Sequence, residues 1–159
     1  MKTCTITLLS IILFVAGCSS TTDDKPQKML PGWEASSPPE IKGFDRDAIM
    51  AATRKLLNLP ASKSMGIMPM NSRAPDEALS YIVEGLKDLH TAGEPAVCVG
   101  RDVKNIMDAL TRALSSQPDV RLDNMDIVIT SPTPPDEQFK KWLAQKTIRL
   151  HYLKVLVQE

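Results

Sequence analysis

Residues 95–118, PAVCVGRDVKNIMDALTRALSSQP, decide the predicted fold. The apolar run from Ala96 to Val99 predicts a buried strand, and the residues after Asp102 have the spacing of an amphipathic helix. Asp102 is the predicted N-cap, and Pro118 lies beyond the end of the helix. The apolar face of this helix consists of Val103, Ile106, Met107, Leu110 and Leu114. This stretch therefore predicts a strand that passes directly into a core-facing helix.

The sequence that follows repeats the pattern of a strand and then a helix. Strands are predicted at 126–130 and 147–157, and a short helix after Asp136 presents Phe139, Trp142 and Leu143. The run from Ala96 onward therefore reads β-α-β-α-β, with connections long enough for parallel crossovers. In the last strand the alternation of apolar residues slips after Tyr152, which predicts either a bulge or cover on both faces.

Two more helices precede this run. The first follows Asp45 and ends before Pro60, and its apolar face is predicted to hold Ile49, Ala52, Leu56 and Leu59. The second opens at Pro75-Asp76-Glu77 and ends before Gly93. A fourth strand is possible near 65–70. We expect a small single α/β domain of two or three layers over 44–159, with about four helices and three or four strands.

Composition excludes several classes of protein. The 159 residues carry 19 Lys plus Arg and 19 Asp plus Glu, a balance that argues against a nucleic-acid-binding surface. The three cysteines lack the spacing of a zinc site and the density of a disulfide scaffold. The serine-elbow, Walker, metalloprotease and EF-hand patterns do not occur in the sequence. We therefore expect a protein that is not an enzyme and holds no cofactor.

The first 18 residues have the pattern of a targeting signal. A charged start at Lys2 precedes an apolar run from Ile6 to Phe14, which is shorter than the roughly 20 residues that span a bilayer. The sequence Val15-Ala16-Gly17-Cys18 then resembles the lipobox of bacterial prolipoproteins. An ordinary secretory signal, with Cys18 incidental near the cut, is the alternative.

The resemblance implies a specific processing reaction. Diacylglycerol is attached to the thiol of Cys18, the chain is cut between Gly17 and Cys18, and the freed amine is usually acylated, with palmitate among the acyl groups. Residues 1–17 are then the signal peptide, and the lipid bilayer is a partner through Cys18. In a cell with two membranes, Ser19 favours an outer-membrane lipoprotein facing the periplasm.

Residues 18–43 read as a disordered tether. The segment is rich in serine, threonine and proline and would span about 25 to 30 Å as a flexible chain. Trp33 stands out in it, because a tryptophan in a solvated linker has little reason to be there unless it docks on a surface. Its own domain is the expected surface, and a membrane interface or a partner is the alternative.

Three groups of residues are candidates for chemistry in the domain. Gly100 and Arg101 follow one strand, and Ser131 and Thr133 follow the next, so both pairs are expected at the carboxyl edge of a parallel sheet, where ligands bind. Met65, Met68 and Met70 offer soft ligands for Cu(I), although packing of a loop or edge strand onto the sheet is the favoured explanation. Cys98 lies in a predicted buried strand, which favours an inert thiol over a reactive or intermolecularly paired one.

These observations favour a tethered envelope lipoprotein whose domain binds a protein partner, as an assembly or piloting accessory factor of a secretion or surface structure. The first alternative is an inhibitor or immunity lipoprotein against a toxin or a lysozyme-like enzyme. The second is a module that binds a small ligand or a metal.

Overall fold

The computed structural model describes residues 44–70 and 72–155. Within these ranges the chain forms a four-stranded parallel sheet with four helices, so the predicted small α/β domain is confirmed. The possible strand near 65–70 exists as β1. The elements in chain order are α1 (Arg46–Leu56), β1 (Gly66–Pro69), α2 (Asp76–Thr91), β2 (Ala96–Val99), α3 (Val103–Ser116), β3 (Asp126–Ser131), α4 (Glu137–Gln145) and β4 (Arg149–Lys154).

The strands lie in the order β1-β2-β3-β4, and every neighbouring pair is parallel. Right-handed crossovers that always step in one direction place every connecting helix on the same side of the sheet. Accordingly α2, α3 and α4 pack together with Ala96, Cys98, Ile127 and Ile129 in the larger core. The helix α1 packs on the opposite face with Val97, Val99 and Val128, which completes a three-layer domain.

The helix starts follow from their capping residues. Asp45, Asp102 and Asp136 each accept a hydrogen bond from a backbone amide of the first turn, at 3.0, 2.9 and 2.7 Å. Each carboxylate satisfies an amide that the helix itself leaves unpaired. The sequence prediction of Asp45 and Asp102 as N-caps is therefore confirmed.

The inward face of α1 differs from the prediction. Ile49 and Thr53 are buried, whereas Leu56 is 44% exposed. Met50 and Leu57 pack against the same apolar cluster as Ile49, so the contact face runs along positions 49, 50, 53 and 57. Four residues at this spacing share one side of a helix, and Leu56 falls beside it.

The strand β4 explains the slip in apolar phase near the end of the chain. Its register with β3 runs without a break from Arg149 to Lys154, so there is no bulge. Leu150 and Tyr152 pack on the side of the larger core, whereas Leu153 packs on the side of α1. The predicted alternative of cover on both faces is therefore the correct one. The strand starts two residues later than expected because Thr147 adopts a φ of 57° in a turn.

Candidate functional site

The carboxyl edge of the sheet brings the two predicted residue pairs together. Val99 is in register with Thr130, and the amide of Gly100 donates to the Thr130 carbonyl at 3.1 Å. Gly100 and Ser131 are therefore neighbours at the ends of β2 and β3. Arg101 and Thr133 follow them and are exposed.

Gly100 has a packing reason to be glycine. A Cβ atom at this position would lie 2.6 Å from the Met70 carbonyl oxygen and 3.2 Å from Ile106 Cγ1. Real Cβ atoms do not approach a backbone oxygen this closely, so the end of β1 can pass here only because the side chain is absent. The glycine serves the packing of β1 on β2 and α3.

Ser131 is fully buried, and its hydroxyl and carbonyl already have hydrogen-bond partners. Its hydroxyl donates to the Thr133 carbonyl at 2.6 Å, and its carbonyl accepts from the Tyr152 hydroxyl at 3.1 Å. The amide of Val155 donates to the same carbonyl at 3.4 Å. Ser131 therefore fixes the turn after β3. A ligand site at this edge stays a prediction.

The three methionines do not converge. Met65 belongs to the apolar cluster on the side of α1, whereas Met68 and Met70 pack on the side of α2 and α3. The sheet separates the first thioether from the other two. This division removes the geometric basis for one Cu(I) site that uses all three, and packing accounts for each methionine. Among residues 44–70 and 72–155, no three His, Cys, Asp or Glu residues are grouped to hold a metal ion.

Cys98 is completely buried in β2. Burial raises the pKa of its thiol to about 12, because a thiolate would lose its hydration in the core. A thiol in this state is a poor nucleophile.

The amino edge of the sheet carries a polar cluster, formed by Asp126, Arg149 and His151. Arg149 donates Nε and Nη2 to the two carboxylate oxygens of Asp126, at 2.8 and 2.7 Å. His151 Nε2 lies 2.8 Å from Asp126 Oδ1. Partial burial works against ionisation of Asp126, but the hydrogen bonds and charges of the two partners outweigh it and keep its pKa below the usual value.

A cleft of about 260 Å³ opens beside the polar cluster. His90, at the end of α2, faces it with Nε2 3.1 Å from the Asp123 carbonyl oxygen. Asn124 and Thr147 both adopt left-handed backbone conformations here, and the Asn124 amide donates to the Thr147 carbonyl at 2.8 Å. The lining residues are His90, Gly93, Glu94, Pro95, Asp123, Asn124, Met125, Asp126 and Arg149.

Sequence reasoning missed this cluster. Asp123 and Asp126 formed no recognisable pattern along the chain, and both histidines stood apart from them. No local signal marked the ion pair, because the sequence predicted the start of the last strand at residue 147, and only the observed register aligns Asp126 with Arg149.

Comparisons with models of protein families, with curated proteins and with solved structures give no match. In the part of the chain that the structure describes, no helix is both long enough and apolar enough to cross a membrane. The lipobox residues, Ser19 and Trp33 lie outside the described residues.

Proposed function

We propose that this chain is an envelope lipoprotein, anchored through acylated Cys18, whose α/β domain binds a protein partner as an accessory factor of a secretion or surface structure. The observation that carries the proposal is the sequence Val15-Ala16-Gly17-Cys18 behind a charged start and a short apolar run. The small residues at Ala16 and Gly17 suit a narrow protease site.

Lipid chemistry supports a lasting anchor. One acyl chain gives only marginal, reversible membrane binding. Each further buried methylene adds about 0.8 kcal/mol of binding free energy. Two or three chains on Cys18 would hold the protein persistently. The tether at 18–43 would then let the domain stand off the bilayer, and Ser19 favours the outer membrane of a two-membrane cell.

The described domain is compatible with a binding role. The buried thiol of Cys98 is unsuited to nucleophilic catalysis, and the hydroxyl and carbonyl of Ser131 have hydrogen-bond partners within the fold. These observations support structural rather than nucleophilic roles for Cys98 and Ser131.

Metabolic labelling with radioactive palmitate tests the anchor. The full chain is expected to incorporate label and sediment with membranes, and Cys18→Ser is expected to lose the label and accumulate as an unprocessed precursor. Cys4→Ser is the matched control, because it also removes one cysteine from the amino-terminal segment but keeps the lipobox. Unchanged labelling and processing of Cys18→Ser would refute the anchor.

Affinity capture of the lipidated protein from membranes tests the binding role separately. The proposal expects a subunit of an envelope machine. Recovery of a toxin or a hydrolase would instead support an inhibitor, and a retained small ligand with no protein partner would support a ligand-binding module.

A further inference from the structure

The strand β4 ends the sheet with one unpaired side. The amides of Arg149 and Val155 donate toward β3, at 2.9 and 3.4 Å. Because the direction of N–H and C=O alternates along a strand, the backbone groups of Leu150, Tyr152 and Lys154 point to the open side. No strand among residues 44–70 and 72–155 pairs with them.

The opposite edge of the sheet is closed to such pairing. The amides of Gly66 and Met70 donate to the carbonyls of Pro95 and Val99 at 3.1 and 2.7 Å, so the backbone groups of Ile67 and Pro69 face outward. Pro69 has no N–H, and β1 is only four residues long. Short edges that carry proline are a common defence against unwanted pairing, and β4, with six residues and no proline, lacks that defence.

The end of the domain around β4 has a small excess of positive charge. Residues 136–155 hold five Lys or Arg and two acidic residues, although the whole chain is balanced. Glu137 pairs with Lys140, Asp126 pairs with Arg149, and Asp136 caps α4. The remaining positive charges belong to Lys141, Lys146 and Lys154, and neither Lys141 nor Lys154 has an ion-pair partner within the described ranges.

Both faces beside this edge combine polar and apolar side chains. Lys154 has the same parity as Leu150 and Tyr152, so all three lie on the side of the sheet that α4 covers. Leu153 and Val155 lie on the other side, in the cluster with α1, and share their parity with Arg149 and His151. A fifth strand would thus meet the charge of Lys154 next to apolar side chains.

We propose that the open edge of β4 receives an extended, acidic segment of a partner protein as a fifth strand. Backbone hydrogen bonds to Leu150, Tyr152 and Lys154 hold the segment, and its acidic side chains complement the unpaired charge of Lys154 and the lysines of α4. This inference rests on the proposed role in binding a protein and assigns the surface and the chemistry of the partner.

A model peptide tests the edge directly. The full chain in detergent micelles is titrated with the acetylated, amidated peptide EVEVEVE, while amide chemical shifts and hydrogen exchange are recorded. Saturable shifts are expected along β4, together with at least tenfold slower exchange at Leu150, Tyr152 and Lys154. The charge-reversed peptide KVKVKVK is expected to bind at least tenfold more weakly.

Two pairs of variants separate charge from backbone pairing. Lys141→Glu with Lys154→Glu is expected to weaken peptide binding at least tenfold, whereas Lys87→Glu with Lys104→Glu, which changes the net charge equally on α2 and α3, is expected to change it less than twofold. Lys154→Pro removes an outward amide and should bind at least threefold more weakly than Lys154→Ala. Circular dichroism melts identify any variant that fails to fold, and the wild-type exchange pattern tests the proposal without variants.

Several results would overturn the assignment. They are equal binding of both peptides, saturable shifts confined to another surface, no binding at millimolar peptide, and protection of β4 by self-association. Binding to vesicles of anionic lipid without peptide binding would also overturn it. None of these results bears on lipidation of Cys18 or on partner capture from membranes, so failure of the edge and failure of the proposed function are distinguishable.

Discussion

Replacing Gly100 by alanine tests the packing of the sheet's carboxyl edge. The added Cβ would lie 2.6 Å from the Met70 carbonyl oxygen, and this atom belongs to backbone that the Met70 amide fixes to Val99 at 2.7 Å. Gly100 does not have a positive φ, so steric contact is the source of the cost. Overpacking of this kind costs about 1–3 kcal/mol of unfolding free energy.

Gly85 provides the matched control, because the same substitution there should have the opposite sign. It lies inside α2, and an added Cβ would meet Met68 Cε at 3.6 Å, an ordinary van der Waals distance. Alanine in place of glycine within a helix stabilises by about 0.5–1 kcal/mol. The two variants should therefore differ by about 1.5–4 kcal/mol.

Urea unfolding and thermal melts of the full chain measure both effects. A change of 1 kcal/mol corresponds to about 4 °C in Tm for a domain of this size, so Gly100→Ala should lower Tm by about 4–12 °C. Gly85→Ala should raise it by about 2–4 °C. A Gly100→Ala variant as stable as the wild type would refute the packing argument and reopen a binding role for the glycine.

Three further predictions concern groups in and around the sheet. Asp126→Asn should destabilise the fold by about 1 kcal/mol at pH 7. Because the folded-state pKa of Asp126 is lowered, the difference in unfolding free energy between the variant and the wild type should shrink as the pH falls from 4 through that pKa. An equal difference in urea unfolding at pH 7 and pH 3 would contradict this prediction. Thr130→Val should stabilise by about 1 kcal/mol in the same assay, since the buried Thr130 hydroxyl has no hydrogen-bond partner among residues 44–70 and 72–155, and a loss of stability would show that the hydroxyl is satisfied. Cys98, with a pKa of about 12, should resist iodoacetamide at pH 8 and react only after denaturation, as peptide mapping by mass spectrometry would show; rapid labelling of the native protein would disprove its burial.

Local patterns were sufficient to predict the four helices and three of the strands, whereas β1 was only a possible strand. The spacing in α3 and the caps Asp102 and Asp45 placed helix starts correctly, because capping and amphipathic periodicity act within a few residues. The inward face of α1 was harder to predict, since Leu56 and Leu57 are equally apolar and only the position of the sheet decides which one packs.

The polar cluster at the amino edge depends on register, which sequence patterns do not specify. Asp126 and Arg149 are 23 residues apart, and their ion pair exists because β3 and β4 align at their first residues. The same register places the Ser131 carbonyl within reach of the Tyr152 hydroxyl. Pairwise contacts of this kind follow from strand order and alignment rather than from local composition.

Intact-mass analysis of the protein isolated from the membranes of its host tests the proposed lipidation of Cys18. We expect an amino terminus at Cys18 and a mass equal to residues 18–159 plus a diacylglycerol group and, in most molecules, a further acyl chain. Fragmentation should place all of the added mass on Cys18. An unmodified Cys18, or an amino terminus at any other residue, would show that the proposed anchor is absent.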